Sequence, residues 1–364
     1  MPDGSRLLVT GATGLLGAAV LERLLSHDRR MRVVALIRTP ERWRPLAASL
    51  GAAASRVQPL VGDITREGLG LDASTRRALA GRVTRVIHLA ADTSFSRTLA
   101  VSRAQNTEGT AHVLALADDC SAEQVVHVST AFVAGTGTGF IADDTADARA
   151  WVNAYEQSKH EAEALVRAHR AAWTILRPST IVCDDVDGRV TQFNAVHRAL
   201  RLCHAGLASM LPGEEDTLVD VVTTHWVAEA IARCVARDDL HGRTLHLCAG
   251  ERAMRLGEMI DRTWHRWSAD ADWRRRGIER PVLTDLDTYR LFEEAVRESA
   301  DPRLARVVQA LSHFVPQLAL PKRFDTTGAR ALAASPAPIP EHFWGAMLDH
   351  LHAVAWHSTR RHVA

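Results

Sequence analysis

Near its start the chain runs Arg6-Leu-Leu-Val-Thr10, then Gly11-Ala-Thr13-Gly14-Leu15-Leu-Gly17, then Ala18, Val20, Leu21, Leu24 and Leu25. A short apolar run, a turn with glycines three apart and a helical apolar spacing read as strand, turn and helix. Little else in the chain restricts the fold so tightly. Gly11 permits a tight turn, Gly14 lets backbone approach a pyrophosphate, and Gly17 lets the helix pack close to the strand. The free N–H groups of the helix start, in the turn that holds Thr13 and Leu15, face the phosphates. The segment therefore predicts a dinucleotide site at the edge of a parallel sheet.

The following segments extend that sheet. Met31-Arg-Val-Val-Ala-Leu-Ile37 reads as a second strand and ends at Arg38, with no Asp or Glu at its end. An acid there would bond the ribose hydroxyls of NAD; Arg38, with Arg42 nearby, suits a 2′-phosphate instead. NADPH is therefore favoured over NADH, the plain alternative being an arginine that merely follows a strand. A third strand ends Leu60-Val-Gly-Asp63-Ile64, where Asp63 can bond the adenine amino group. A fourth, Val83 to Ala91, ends in Ala90 and Ala91, small enough for a cofactor to pass. Strands alternate with helical segments through residue 180, which predicts an α/β fold with a doubly wound parallel sheet of Rossmann type.

The chain has only two tyrosines and two lysines, and one of each stands four residues apart, at Tyr155 and Lys159. Ala162, Leu165 and Val166 continue a helical spacing, so the two side chains share a face. A free phenol, with a pKa of about 10, is a poor acid–base catalyst at neutral pH. A cation about 4 Å away is worth roughly 4 kcal/mol at an effective dielectric of 20, enough to move the phenol by about three pKa units. The pair is expected to transfer protons; the alternative is an ordinary i,i+4 contact on a solvated helix.

Seven motifs occur in a fixed order: Thr10-Gly-Ala-Thr-Gly-Leu-Leu-Gly17, Val61-Gly-Asp-Ile64, His88-Leu-Ala-Ala91, Asn106-Thr-Glu-Gly-Thr110, Val128-Ser-Thr-Ala131, Tyr155-x-x-x-Lys159 and Leu176-Arg-Pro-Ser179. Together they resemble the extended short-chain dehydrogenase/reductase superfamily over residues 5–250. The resemblance implies that Thr130 fills the catalytic Ser/Thr position, that Tyr155 is the acid and that Lys159 binds the nicotinamide ribose. It also implies that Asn106 belongs to the cofactor site and that Pro178 begins the segment against the nicotinamide. Val128-Ser-Thr-Ala-Phe-Val133, Leu176 to Val182, Gly188-Arg-Val-x-x-Phe-Asn194 and Phe324-Asp325 are most similar to the fatty acyl-CoA reductase and thioester reductase branch. Two places depart from that pattern. Cys183 stands where Gly is usual, and Val222-Thr-Thr-His225-Trp226 where Val-Pro-Val-Asp-Trp is usual.

The rest of the chain bounds the reading. With 364 residues, 46% hydrophobic content and a net charge of +1, it suits one large or two intimate domains and gives no electrostatic case for nucleic acid. A strand at the N-terminus, no long apolar run and five widely spaced cysteines lead to the expectation of a cytoplasmic enzyme with no membrane span. Residues 1–183, with a returning strand near 243–248, are expected to form the dinucleotide-binding domain. Residues 184–242 and 251–364 would then form a smaller, mainly helical substrate-binding part. Ala134 to Gly139, with Asp143 and Asp144 following, read as a mobile cover over the substrate. Metal binding is not expected, either at Asp185-Val-Asp187-Gly188 or at His350, His352 and His357. Arg274-Arg-Arg276 reads as an exposed charge cluster, less readily as a contact for a phosphate-bearing carrier or coenzyme.

The expected reaction is hydride transfer from NADPH to the carbonyl of an acyl thioester, with aldehyde or alcohol as product. The substrate would arrive as a coenzyme A derivative or on a separate carrier protein, since neither an adenylation nor a carrier domain is found on this chain. Two alternatives stay open. One is another redox enzyme of the same superfamily, acting on a ketone, an alcohol or a sugar nucleotide; the other is a protein that binds cofactor without turnover.

Overall fold

The computed structural model describes residues 6–145, 150–299, 302–332 and 334–356. Its centre is a seven-stranded parallel sheet. The strands are β1 (Arg6–Thr10), β2 (Val33–Ile37), β3 (Val57–Val61), β4 (Val83–His88), β5 (Gln124–Val128), β7 (Ala172–Pro178) and a last strand, Arg243–Leu247; a short strand outside this sheet, Gly139–Ile141, is β6. From one edge to the other the order is Arg243–Leu247, β7, β5, β4, β1, β2, β3. The order reverses between β1 and β4, so their C-terminal ends flank the crevice where such sheets bind ligands. Strands β2 and β5 are buried along their whole length, β2 as an unbroken apolar run and β5 with Gln124 and His127 among its valines, as in a sheet covered on both faces. The strand anticipated near residues 243–248 does return to this sheet, pairing with β7 from Arg243–Thr174 to Leu247–Pro178.

Helices cover both faces. Leu15–His27 and Thr224–Cys234 pack together on one side, burying Val20, Leu21, Leu24, Val227 and Ile231 against the sheet. A second apolar cluster, separate from the sheet core, gathers Val182, Val221, Met254, Trp267, Trp273, Trp344 and Met347. It is built mostly by helices Leu256–Ser268, Leu286–Glu298 and Pro340–Ala353. The C-terminal tryptophans are thus core residues, or, like Trp264, packed against the core.

One expectation needs correction. The segment after Thr130 is fastened down rather than a free cover. β6 pairs in parallel with the strand Lys322–Phe324, and Arg177 donates to Asp143 O at 3.2 Å and Thr145 O at 2.8 Å. Asp143 itself is buried and accepts the His246 amide at 2.7 Å. Arginines 274–276 are exposed, as a charge cluster is expected to be, and bond locally: Arg274 bonds Ser268 O, Arg275 pairs with Asp272, and Arg276 bonds His204 O and Ala205 O. They hold helix ends and a neighbouring carboxylate, so nothing in their setting marks a phosphate contact. Of the three histidines considered for metal, His357 lies outside the described residues.

Candidate active site

β1 delivers the chain into the glycine turn at the crevice. Gly11 has φ +69°, and a Cβ on it would lie 2.7 Å from Ala90 N. A Cβ on Gly17 would lie 2.1 Å from Gly11 O, so only glycine lets the helix Leu15–His27 sit this close to the turn. Gly14 precedes that helix and offers no side-chain cap, leaving the N–H groups of the first turn free for an anion. The Thr10 hydroxyl ties the turn to the end of β4, accepting from Leu89 N and Ala90 N, each at 3.2 Å, and bonding His88 Nδ1 at 2.7 Å.

Gly11, Thr13, Gly14, Leu36, Arg38, Arg42, Gly62, Asp63, Ile64, Leu89, Ala90, Ala91 and Gln105 line one cleft above this turn. Eight of them were anticipated as cofactor contacts. Leu15 opens the helix behind it, and Gly17 is buried beneath it. Arg38 is exposed at the end of β2 and lies near enough to Asp63 to favour its charged form. Burial pushes the Asp63 carboxyl up, but bonds from Thr65 N and Thr65 Oγ1 at 2.9 Å, with Arg38 and Arg66, outweigh it and hold it below the usual range. The cleft fits a dinucleotide: glycine backbone where side chains would collide, with Arg38 just after β2 and Arg42 in the following helix, Pro40–Leu50, at its rim.

Thr130 and Lys159 meet at the C-terminal end of β5, beside β4. Asn153 caps the helix Ala154–Arg167 by accepting from Glu156 N at 3.1 Å, which places Tyr155 in its first turn. Thr130, whose hydroxyl accepts from Phe132 N at 3.3 Å, lies close enough to the Tyr155 phenol to favour its charged form. Lys159 Nζ donates to Val128 O at 2.9 Å and lies 3.1 Å from His127 Nε2. Burial drives His127 well below the ordinary histidine range, with Lys159 adding to the effect, so its neutral ring accepts from the ammonium.

Burial also sets the two anticipated groups. It pushes the Tyr155 phenol up to about 12, against the lowering effect of the neighbouring Thr130 and with Glu156 and Asp92 adding to the rise. It brings the Lys159 ammonium down to about 8, against the pull of Glu163. Lys159 is not among the groups that act on the phenol, and its ammonium lies instead against Val128 O and His127.

Asn106 lies in a π-helical turn, Arg103–Thr107, and is buried. Its amide accepts from Asp92 N at 2.8 Å and donates to Asp92 O at 3.0 Å and Ser158 Oγ at 2.9 Å. It braces the Asp92 loop against the Tyr155 helix. Pro178 ends β7, paired with Leu247. The two departures from the family pattern touch one another: Cys183 Sγ donates to Asp185 O at 3.2 Å, and His225 Nδ1 bonds Asp185 Oδ2 at 2.9 Å. Among the described residues no group of three or more His, Cys, Asp or Glu could hold a metal ion.

Sequence reasoning passed over Thr10, His88, His127 and Gln105. Thr10 and His88 stand inside quoted motifs, where a polar residue ending an apolar strand was the available signal. Gln105 reaches the cleft from the π-helical turn, which no local pattern announces.

Comparison with known proteins agrees with this geometry. The R domain that terminates the myxalamid PKS-NRPS biosynthetic pathway superposes with a TM-score of 0.78 at 25% identity, over 98% of this chain and 93% of that one. Peramine synthetase A of Epichloe festucae is 30% identical over 50% of this chain, which spans 7% of that protein. The alcohol-forming fatty acyl-CoA reductase of Simmondsia chinensis is 32% identical over 38% of this chain and 33% of its own length. The chain thus spans only a small part of the curated relatives it matches. Among the described residues no helix is long and apolar enough to cross a membrane. The profile of the family described as Male sterility protein matches residues 9–231, and the chain belongs to that family, an oxidoreductase of the extended short-chain dehydrogenase/reductase type in the thioester reductase branch.

Proposed function

We propose that the chain is an NADPH-dependent reductase of acyl thioesters, carried on coenzyme A or on a separate carrier protein, and that it yields an aldehyde or an alcohol. The observation that carries this reading is the convergence of Thr130, Tyr155 and Lys159 beside a glycine-lined cleft whose β2 end bears Arg38 and no acid. Gly11 to Leu15 would hold the pyrophosphate, Arg38 the 2′-phosphate, Asp63 and Ile64 the adenine end, and Ala90, Ala91 and Pro178 the passage toward the nicotinamide. When bound, the nicotinamide supplies hydride to the carbonyl carbon. Thr130 and Tyr155 donate to the carbonyl oxygen and stabilise the charge that develops there. Tyr155 delivers the proton. Lys159 binds the nicotinamide ribose beside the end of β5, where its ammonium lies against Val128 O and His127. The thioester carbonyl so reduced is a hemithioacetal, which expels thiol and leaves an aldehyde; a second hydride and proton would give the alcohol. In this reading residues 184–242 and 251–364 face the substrate, and residues 1–183 with the strand near 243–248 hold the cofactor.

The test is incubation with NADPH and a panel of acyl-CoA, ketone and sugar-nucleotide substrates, with products read by mass spectrometry. Aldehyde or alcohol formed from an acyl-CoA supports the proposal. Turnover of ketones or sugar nucleotides alone would overturn it. The nucleotide carried by the purified protein separates the classes further, since an epimerase retains and recycles NAD whereas a reductase releases NADP.

A further inference from the structure

The reaction described above leaves one buried ammonium unused. Lys322 is the second of the two lysines and is only 7% exposed. Its Nζ donates to Gln317 Oε1 at 2.8 Å and to Leu320 O at 3.4 Å. Gln317 Nε2 donates in turn to Glu156 Oε1 at 2.7 Å, across 161 residues of sequence. Glu156 follows Tyr155 in the chain and is fully buried. It accepts also from Asn153 Nδ2 and Val152 N, each at 3.0 Å, while Asn153 Nδ2 reaches His313 O at 3.2 Å. The first turn of the Tyr155 helix is therefore held from behind by the segment His313–Lys322.

The same segment also stands in front of the phenol. Phe314 stacks on Phe95 with centroids 6.3 Å apart and planes 7° from parallel, and Phe95 meets the Tyr155 ring at 5.4 Å. The strand Lys322–Phe324 then pairs with β6, in the stretch between Thr130 and Tyr155. A buried carboxylate and ammonium are costly to keep, and apolar packing of equal volume is often at least as stable. Burial pushes the Glu156 carboxyl up to about 7 and brings the Lys322 ammonium down to about 8, each favouring the other's charge. The acidic groups acting on the phenol are Glu156 from its own helix and Asp92 from the loop after β4. Lys322 is the cation that acts on Glu156.

We propose that Lys322, acting through Gln317 and Glu156, is a positioning residue for Tyr155, fixing the first turn of its helix and offsetting the negative charge beside the phenol. This rests on the reading of Tyr155 as the acid. The full chain, labelled with 13Cζ-tyrosine, gives two phenol resonances, and Tyr289→Phe assigns them. Lys322→Met is expected to move the Tyr155 resonance and leave that of Tyr289 in place. It should lower kcat about ten- to hundredfold on the fastest substrate of the panel, as misplacement of a catalytic group does. NADPH affinity should stay within about twofold, because no member of the network lines the cleft. The double variant Glu156→Gln/Lys322→Met removes both charges and should restore most of kcat and of the resonance position. Should Lys322→Met fail to fold, Gln317→Met cuts the link while keeping both charges, and the same shift is expected. An unmoved Tyr155 resonance with normal kcat in a folded variant overturns the proposal. Normal turnover in Tyr155→Phe would instead overturn the assignment of the acid, whatever the Lys322 variants show.

Discussion

A phenol of ordinary pKa, about 10, is already protonated at neutral pH, and burial raises Tyr155 further. The proposed acid is therefore loaded but slow to release its proton until charge develops on a neighbouring oxygen. Tyr155→Phe removes only the hydroxyl. Turnover should fall by about 10²–10⁴ while NADPH affinity, followed by fluorescence titration, stays near normal. Retained turnover would reduce Tyr155 and Lys159 to a helix contact. Arg38 makes the second prediction at this scale. Arg38→Glu exchanges a charge-assisted bond to the 2′-phosphate for repulsion, so NADPH should lose about ten- to hundredfold in affinity and NADH far less. Equal losses would remove Arg38 from the site. Both residues could be picked out from sequence, one by spacing from a rare lysine and the other by the missing acid. Their electrostatics could not. The Lys159 ammonium is spent on Val128 O and His127, partners that β5 brings from 31 and 32 residues away.

At the scale of elements, the Tyr155 helix is anchored to β7 by a buried ion pair. Arg177 Nε donates to Glu163 Oε1 at 2.9 Å, and a second guanidinium nitrogen donates to Glu163 Oε2 at 2.8 Å. Both side chains are almost wholly buried. Arg177→Met would remove these two hydrogen bonds to the Glu163 carboxylate, leaving the partly buried Arg167 and the more distant Lys159 for charge compensation. It would also free the carbonyls of Asp143 and Thr145. The loss of stability in urea unfolding should be about 3–5 kcal/mol. A loss below about 1 kcal/mol would mean that the pair is solvated in solution. The same contacts explain why the segment after Thr130 misleads a local reading. Glycine and polar residues in Ala134 to Asp144 suggest mobility, but the strand that pairs with β6 lies 183 residues further along the chain. The mainly helical character of the C-terminal part is legible, because the apolar faces of helices Leu256–Ser268, Leu286–Glu298 and Pro340–Ala353 repeat every three to four residues, which is local information.

At the scale of the whole molecule, the fold buries histidines that cannot take up a proton without losing burial: His88 on β4 of the sheet and His197 in the helix Ala195–His204. Burial, helped by Lys159, depresses His88 to about 3, and burial depresses His197 to about 4. The sign follows from proton counting. Between the folded values and the unfolded value of about 6.5, the unfolded chain binds protons that the native one does not. Stability is therefore full above about pH 6.5 and is lost as pH falls toward 3. Each such histidine contributes a slope of up to about 1.4 kcal/mol per pH unit. Urea midpoints measured from pH 7.5 to pH 5 should fall, and His88→Asn should flatten the curve. A pH-independent midpoint over that range would contradict native burial of these rings.

The sequence by itself determined the parallel sheet, the glycine turn and which residue types bound the crevice, because each rests on neighbours in the chain: strand alternating with helix, glycine at a fixed offset, arginine closing a strand. Only the tertiary structure decided where the charges go. His127 beside Lys159, Arg177 under Asp143, and Lys322 behind Tyr155 all join residues distant in sequence. The cost of burying each charge depends on partners that exist only once the sheet and the C-terminal segment have closed around them.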